Sequence, residues 1–141
     1  MTWASYRCVF DGSYAEVWDM LKSAAGGSPP AEGVTDITVL EQFDDGLLRR
    51  VRAGDLVWTE RVEFDEDLRV ATFAVVDAPE GLSGTMRRTV KAVPWDRHDR
   101  ITMHCVLDWQ VMDPKMQEQV DAIVGALVRG DLIAMKSALE S

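Results

Sequence analysis

Ile37-Thr38-Val39-Leu40-Glu41-Gln42-Phe43-Asp44-Asp45-Gly46-Leu47-Leu48-Arg49-Arg50-Val51-Arg52-Ala53-Gly54-Asp55-Leu56-Val57-Trp58-Thr59-Glu60-Arg61-Val62-Glu63-Phe64 alternates with a period of two and is broken at two short polar turns. A period of two places alternate side chains on opposite faces of a sheet. Asp44-Asp45-Gly46 suits a three-residue hairpin loop with Gly in the left-handed position, and Gly54-Asp55 a two-residue turn with Gly first. Under those turns Ala53 faces Leu56, Val51 faces Trp58 and Arg49 faces Glu60; Phe43 faces Leu47, and Glu41 faces Arg49. All of these share one face with Ile37, Val39, Val62 and Phe64. That face is the more apolar one, so it is expected to be the inner one, with Glu41, Arg49 and Glu60 embedded in it.

Working toward the C-terminus, Asp65-Glu66-Asp67 turns into a strand from Arg69 to Asp77, and 78–84 is a loop. Thr85 to Val93 and Arg100 to Met112 are two further strands, separated by a turn over 94–99. Their apolar sets are Met86, Arg88, Val90 and Ala92, then Ile101, Met103, Cys105, Leu107, Trp109 and Val111. Phe73 is expected beside Glu60, and Arg88 near Phe73 and Cys105. Asp113 is a good helix N-cap and Pro114 fits the first helical position. Met116, Val120, Ile123, Val124, Leu127, Ala134 and Met135 make a broad stripe on a helix running to Leu139. Gly125 and Gly130 lie inside that helix, either as tolerated drift or because something approaches closely there.

Toward the N-terminus, Thr2 to Phe10 reads as a strand with Ala4, Tyr6, Cys8 and Phe10 on one face. Ser13 and Glu16 form a capping box, and Tyr14, Val17, Trp18 and Leu21 share one side of the helix that follows. Gly26-Gly27-Ser28-Pro29-Pro30 ends it. The order is strand, helix, six strands, long helix, in one expected domain, 1–141. An α+β fold satisfies it, with a curved seven-stranded antiparallel sheet wrapped around the long C-terminal helix.

Composition narrows the function. The 141 residues carry 15 Lys and Arg against 24 Asp and Glu, a net charge of −9. That argues against nucleic acid and anionic lipid as partners, since both demand clustered cations. No apolar run approaches the ~18 residues of a membrane span. The first residues lack a signal-peptide core, and Cys8 and Cys105 are too few for a disulfide framework. A cytoplasmic protein with reduced thiols is expected, as a monomer or homodimer. His98 sits in a turn and His104 on the convex face, with no ligand spacing between them, so no metal and no cofactor are expected. No Gly-rich phosphate loop follows a strand.

The order of elements resembles the helix-grip fold of the START-like (SRPBCC) superfamily over nearly the whole chain. Ala15-Glu16-Val17-Trp18 is similar to its first-helix start, and Ile37 to Arg50 and Thr59-Glu60-Arg61-Val62 are similar to the AtaL-like branch. The resemblance implies a cavity between sheet and long helix that holds an apolar small molecule. It does not imply one chemistry, for the superfamily spans polyketide cyclases, lipid carriers, hormone receptors and allergens. Longer members carry an extra short helix between first helix and second strand; with the short 26–33 link of this chain that helix is expected to be vestigial.

The inward row Glu41, Arg49, Glu60, Phe73, Arg88 and Cys105 then has two readings. Buried charges of alternating sign are costly unless paired, so the row is either an ion network that fixes register or a ligand-facing site. In the second reading Arg88 offers fixed donors to a carbonyl or enolate, and Glu60 serves as general acid or base. Those two are the candidate catalytic residues. Tyr6, Tyr14, Trp18, Arg49, Trp58, Phe73, Cys105 and Trp109 are the candidate ligand-binding residues, with plain core packing as the competing account for the aromatics. Three functions remain open: a cofactor-free cyclase- or dehydratase-like enzyme on a polyketide-type metabolite, a non-catalytic carrier, and a protein that meets another chain through its sheet.

Overall fold

A computed structural model describes residues 2–27, 35–53, 56–78, 81–92 and 100–140. The elements run β1 (Thr2–Phe10), α1 (Tyr14–Ala25), β2 (Thr35–Phe43), β3 (Gly46–Ala53), β4 (Leu56–Asp65), β5 (Val70–Asp77), β6 (Ser83–Ala92), β7 (Ile101–Gln110) and α2 (Pro114–Glu140). The seven strands form one antiparallel sheet in the order β1-β7-β6-β5-β4-β3-β2. The Gly54-Asp55 turn, most of the 26–33 link and the 94–99 turn with His98 lie outside the described residues. No helix of the described residues is long and apolar enough to cross a membrane.

Both helices start where the local chemistry directs. The Ser13 side chain accepts from the Glu16 backbone N–H, and the Glu16 carboxylate accepts from the Ser13 N–H. The Asp113 carboxylate accepts from the Lys115 N–H at the head of α2. Helix α1 buries Val17, Trp18, Leu21, Ala24 and Ala25, and α2 buries Val120, Val128, Leu132 and Met135. Ile123, Val124 and Leu127 pack against the same core. Fully burying one such aliphatic side chain contributes ~1.5–3 kcal/mol, so its apolar stripe holds α2 on the inner face. Gly125 is buried, and a Cβ there would lie 3.1 Å from the Tyr6 hydroxyl, whereas Gly130 faces open space. The close-approach account therefore holds for one glycine and not the other.

The β3–β4 register is as expected: Arg49 opposes Glu60, Val51 opposes Trp58 and Ala53 opposes Leu56. The β2–β3 connection differs. It is a two-residue turn, Asp44-Asp45, and Gly46 already pairs with Phe43. Gly is needed there because a Cβ at position 46 would collide with the Val62 carbonyl oxygen. The lost loop residue reverses the facing of Glu41 and Phe43, sending them to the convex side. Glu41 opposes Leu48 and is exposed, and Phe43 lies under the Arg61 guanidinium at 4.4 Å. A bulge between Val39 and Glu41 then reverses the parity again, so Val39 opposes Arg49 and Ile37 opposes Val51 as expected.

Between β4 and β5 the register is displaced by two. Phe73 opposes Val62, and Glu60 opposes Val75. The cause is a longer turn: Asp65 pairs with Val70, Arg69 takes a positive φ of 51°, and the Asp65 carboxylate accepts from the Asp67 and Leu68 N–H groups. A shift of two preserves the facing, so Phe73 still points inward, one rung from its expected place.

Candidate functional site

The inner face carries three buried ionised residues among its apolar ones: Arg49, Glu60 and Arg88. Arg49 and Glu60 oppose each other across the β3–β4 hairpin. Arg49 Nε and Nη2 donate to Glu60 Oε2 at 2.9 and 2.8 Å, and its Nη1 donates to the Ala25 carbonyl at the end of α1 at 2.9 Å. Two residues along β4, on the same face, Trp58 Nε1 donates to Glu60 Oε1 at 2.7 Å. A carboxylate has about four lone-pair sites. Three are occupied here, leaving one on Oε1.

Arg88 is held differently. It opposes Cys105 on β7, and its Nη1 donates to Asp131 of α2 at 2.6 Å, with the Met135 sulfur at 3.8 Å. Its Nε is buried without a hydrogen-bond partner among the described residues. Burial works against the Arg88 charge, but the Asp131 carboxylate, with help from Cys105 and Glu60, outweighs it and lifts the guanidinium above its ordinary value. Burial pushes the Cys105 thiol up, with Arg88 offsetting part of the rise, so it stays a neutral, unreactive thiol. Phe73 joins the two clusters: its ring faces the Arg49 guanidinium at 4.8 Å and that of Arg88 at 5.4 Å. The inner row thus reads Arg49, Glu60, Phe73, Arg88 and Cys105, without Glu41.

Beside this row, between sheet and α2, lies a cavity of about 50 Å³. Trp58, Glu60, Phe73 and Trp109 wall it from the sheet, and Val124 and Leu127 from α2. Glu60 is the ionisable residue among its inward-facing lining side chains. The volume holds a water or two, against the ~300 Å³ or more of ordinary ligand pockets. In this conformation α2 is closed down on the sheet.

Of the other residues singled out in the sequence, Tyr6 opposes Cys105 and lies under α2, with Arg129 at 5.8 Å from its ring. Tyr14 and Trp18 stand apart from the cavity. The Tyr14 hydroxyl accepts from the Ala92 N–H under Arg69, and Trp18 donates its indole N–H to Glu66 and packs edge-on to Phe64 at 6.0 Å. Trp109 Nε1 donates to Asp121 of α2 at 2.6 Å. Asp121 and Asp131 are the site residues that sequence reasoning missed. Their signal was present: Asp121 falls four before Gly125 and three before Val124, and Asp131 three after Val128 and four before Met135, so both sit on the buried stripe of α2. Among the described residues no three His, Cys, Asp or Glu side chains converge as a metal site.

No family model matches the sequence, and a search of the curated proteins finds no match. Solved structures are similar over the whole chain. The Zhui aromatase/cyclase from Streptomyces sp. R1128 superposes with a TM-score of 0.83 at 17% identity, covering 99% of this chain and 93% of that one. The di-domain ARO/CYC BexL from the BE-7585A biosynthetic pathway gives 0.72 at 22% identity, over 99% of this chain and 47% of its own. Norcoclaurine synthase from Thalictrum flavum gives 0.74 at 11%, over 99% and 87%. With its seven-stranded curved sheet closed over a long C-terminal helix, this chain has the helix-grip fold of the START-like (SRPBCC) proteins.

Proposed function

We propose that the chain, acting as one domain, binds an apolar, carbonyl-bearing small molecule of polyketide type between its sheet and α2. The observation that carries this reading is the wall formed by Trp58, Phe73 and Trp109, into which a single inward carboxylate, Glu60, is set. Aromatic faces supply non-polar contact, and the open lone pair on Glu60 Oε1 accepts from a ligand hydroxyl. The fold shared with the Zhui and BexL aromatase/cyclases supports the ligand class. A ligand held wholly inside the inner cavity requires α2 to lift from the sheet, with Val124 and Leu127 giving way.

The reading favours a binding protein over an enzyme, because the buried charges are spent on one another: Arg49 with Glu60, Arg88 with Asp131. Catalysis is the second reading. The open lone pair of Glu60 at the cavity wall favours it, with Glu60 as general base and Arg88 as oxyanion donor once released from Asp131. Native mass spectrometry for a co-purifying ligand, followed by tryptophan-fluorescence titration with aromatic ketones, tests binding. Saturable quenching that is diminished in Trp58→Phe and Trp109→Phe is expected. The absence of both a retained ligand and any saturable change would leave the space between sheet and helix as filled core. With a bound substrate in hand, Glu60→Gln separates the two readings: lost turnover with retained binding supports catalysis, and unchanged turnover removes Glu60 from it.

A further inference from the structure

The ladder between β5 and β6 ends early. Pairing runs from Val70↔Thr89 to Ala74↔Thr85 and stops, although β5 continues to Asp77 and β6 begins at Ser83. Beyond that point β5 is paired only with β4, and β6 only with β7. The two strands splay apart at the loop end of their hairpin. On the convex side of the parting lies a groove of about 310 Å³. Its lining includes the outward-facing Thr85 and Asp108, but also Val75, Gly84 and Trp109. Those three lie on the inward-facing positions of their strands, opposite Glu60, Trp109 and Gly84 respectively. The same three residues wall the inner cavity. Groove and cavity therefore adjoin across the parted strands, with Gly84 set close against β7, where a Cβ would meet that of Trp109 at 2.9 Å.

We propose that this parting is a side entrance, through which an amphiphile binds with its apolar end toward Trp58 and Trp109 and its head group in the outer groove at Ser83, Thr85 and Asp108. The inference rests on the binding role proposed above and adds both a route and a ligand class. It accounts for the volumes: the inner cavity alone is far too small, whereas the outer groove reaches the ~300 Å³ scale of ligand pockets. Chemistry at the rim selects the head. Ser83 and Thr85 offer hydroxyls, Gln110 an amide and Asp108 a carboxylate, and among the described residues no Lys or Arg lines the groove. A hydroxyl or ammonium head is matched by these groups, and a carboxylate or phosphate head meets the Asp108 charge unpaired. The net charge of −9 acts in the same direction at longer range.

Decylamine, decanol and decanoate, each below its micelle-forming concentration, test the idea through amide and indole NMR shifts on the full chain. Expected are saturable shifts at Gly84, Thr85 and the Trp109 indole, with decylamine at least tenfold tighter than decanoate. Asp108→Asn should reduce that ratio toward one. Thr85→Trp, at an exposed strand position where an aromatic is well tolerated, should weaken decylamine and decanol at least tenfold by filling the groove; Ser83→Phe is the second plug should the first disturb the fold. Shifts at Trp58 and Trp109 that are indifferent to head group and to both plugs would overturn the side entrance while leaving the inner site standing. No shift at either indole with any of the three would overturn both.

Discussion

The inner face holds two ionic clusters that differ in how they are tied. Arg49, Glu60 and Trp58 belong to one hairpin, with Arg49 and Glu60 eleven residues apart in sequence, and Arg49 has a further acceptor in the Ala25 carbonyl. Arg88 and Asp131 join sheet to helix across 43 residues, and Arg88 keeps a buried Nε with no partner among the described residues. The first cluster is a satisfied strut within the sheet. The second is an ionic clasp between the two layers, beside the Trp109–Asp121 hydrogen bond. Breaking one member of a buried pair is costlier than replacing both with apolar groups, because the survivor is left charged and desolvated. The difference between the clusters thus becomes a difference in what each deletion strands.

The largest effect is expected from Asp131→Ala. Arg88 is 2% exposed, and without Asp131 it loses its carboxylate partner among the described residues. A loss of ~3–5 kcal/mol in denaturant unfolding is the range for orphaning a buried charge. Arg88→Met combined with Asp131→Leu should recover most of it. Glu60→Ala should fall below Asp131→Ala, because Arg49 still donates to the Ala25 carbonyl. A Glu60→Ala loss equal to or larger than that of Asp131→Ala would reverse the comparison and make the hairpin cluster the more critical.

A smaller effect should follow from Trp58→Phe. It keeps the aromatic wall and withdraws one donor from a buried carboxylate, which costs ~1–3 kcal/mol. Because Arg49 covers only Oε2, the effect should vanish in a Glu60→Gln background if the lost bond is its cause. A full-sized effect in that background would instead assign the loss to packing.

These clusters also mark how far the sequence was legible. The Arg49–Glu60 pair could be read because a short turn and a period of two are local rules, with no third element needed to place either residue. Glu41 was misplaced because one device intervenes between it and Arg49, a two-residue turn where three residues were read; a second, the bulge at Leu40, lies beyond it. Each moves the facing by one residue and together they cancel, which is why Ile37 and Val39 were placed correctly and Glu41 and Phe43 were not. The spacing of Asp131 within α2 puts it on the buried stripe, but its partner Arg88 lies on a distant strand, so no local rule names the pair. The gap between β5 and β6 was equally invisible, since Ser83 and Gly84 read as loop when they continue a strand paired on one side only.

The smallest expected effect concerns pH and belongs to the Arg88 side. Burial raises the Cys105 thiol above its ordinary value, so the folded chain holds that proton more tightly than the unfolded chain does. Below the unfolded thiol's pKa, ~8.5, both states are protonated and the full stability is present. As pH rises past it the unfolded thiol ionises first, and stability falls at up to ~1.4 kcal/mol per pH unit until the folded pKa is reached. Cys105→Ala lacks this group, so its stability should fall less steeply between about pH 9 and 10 than that of the native chain. Parallel slopes would mean that Arg88 holds a thiolate at Cys105 as readily as water does, and the clasp would then be a charged triad with Asp131 rather than a pair beside a neutral thiol.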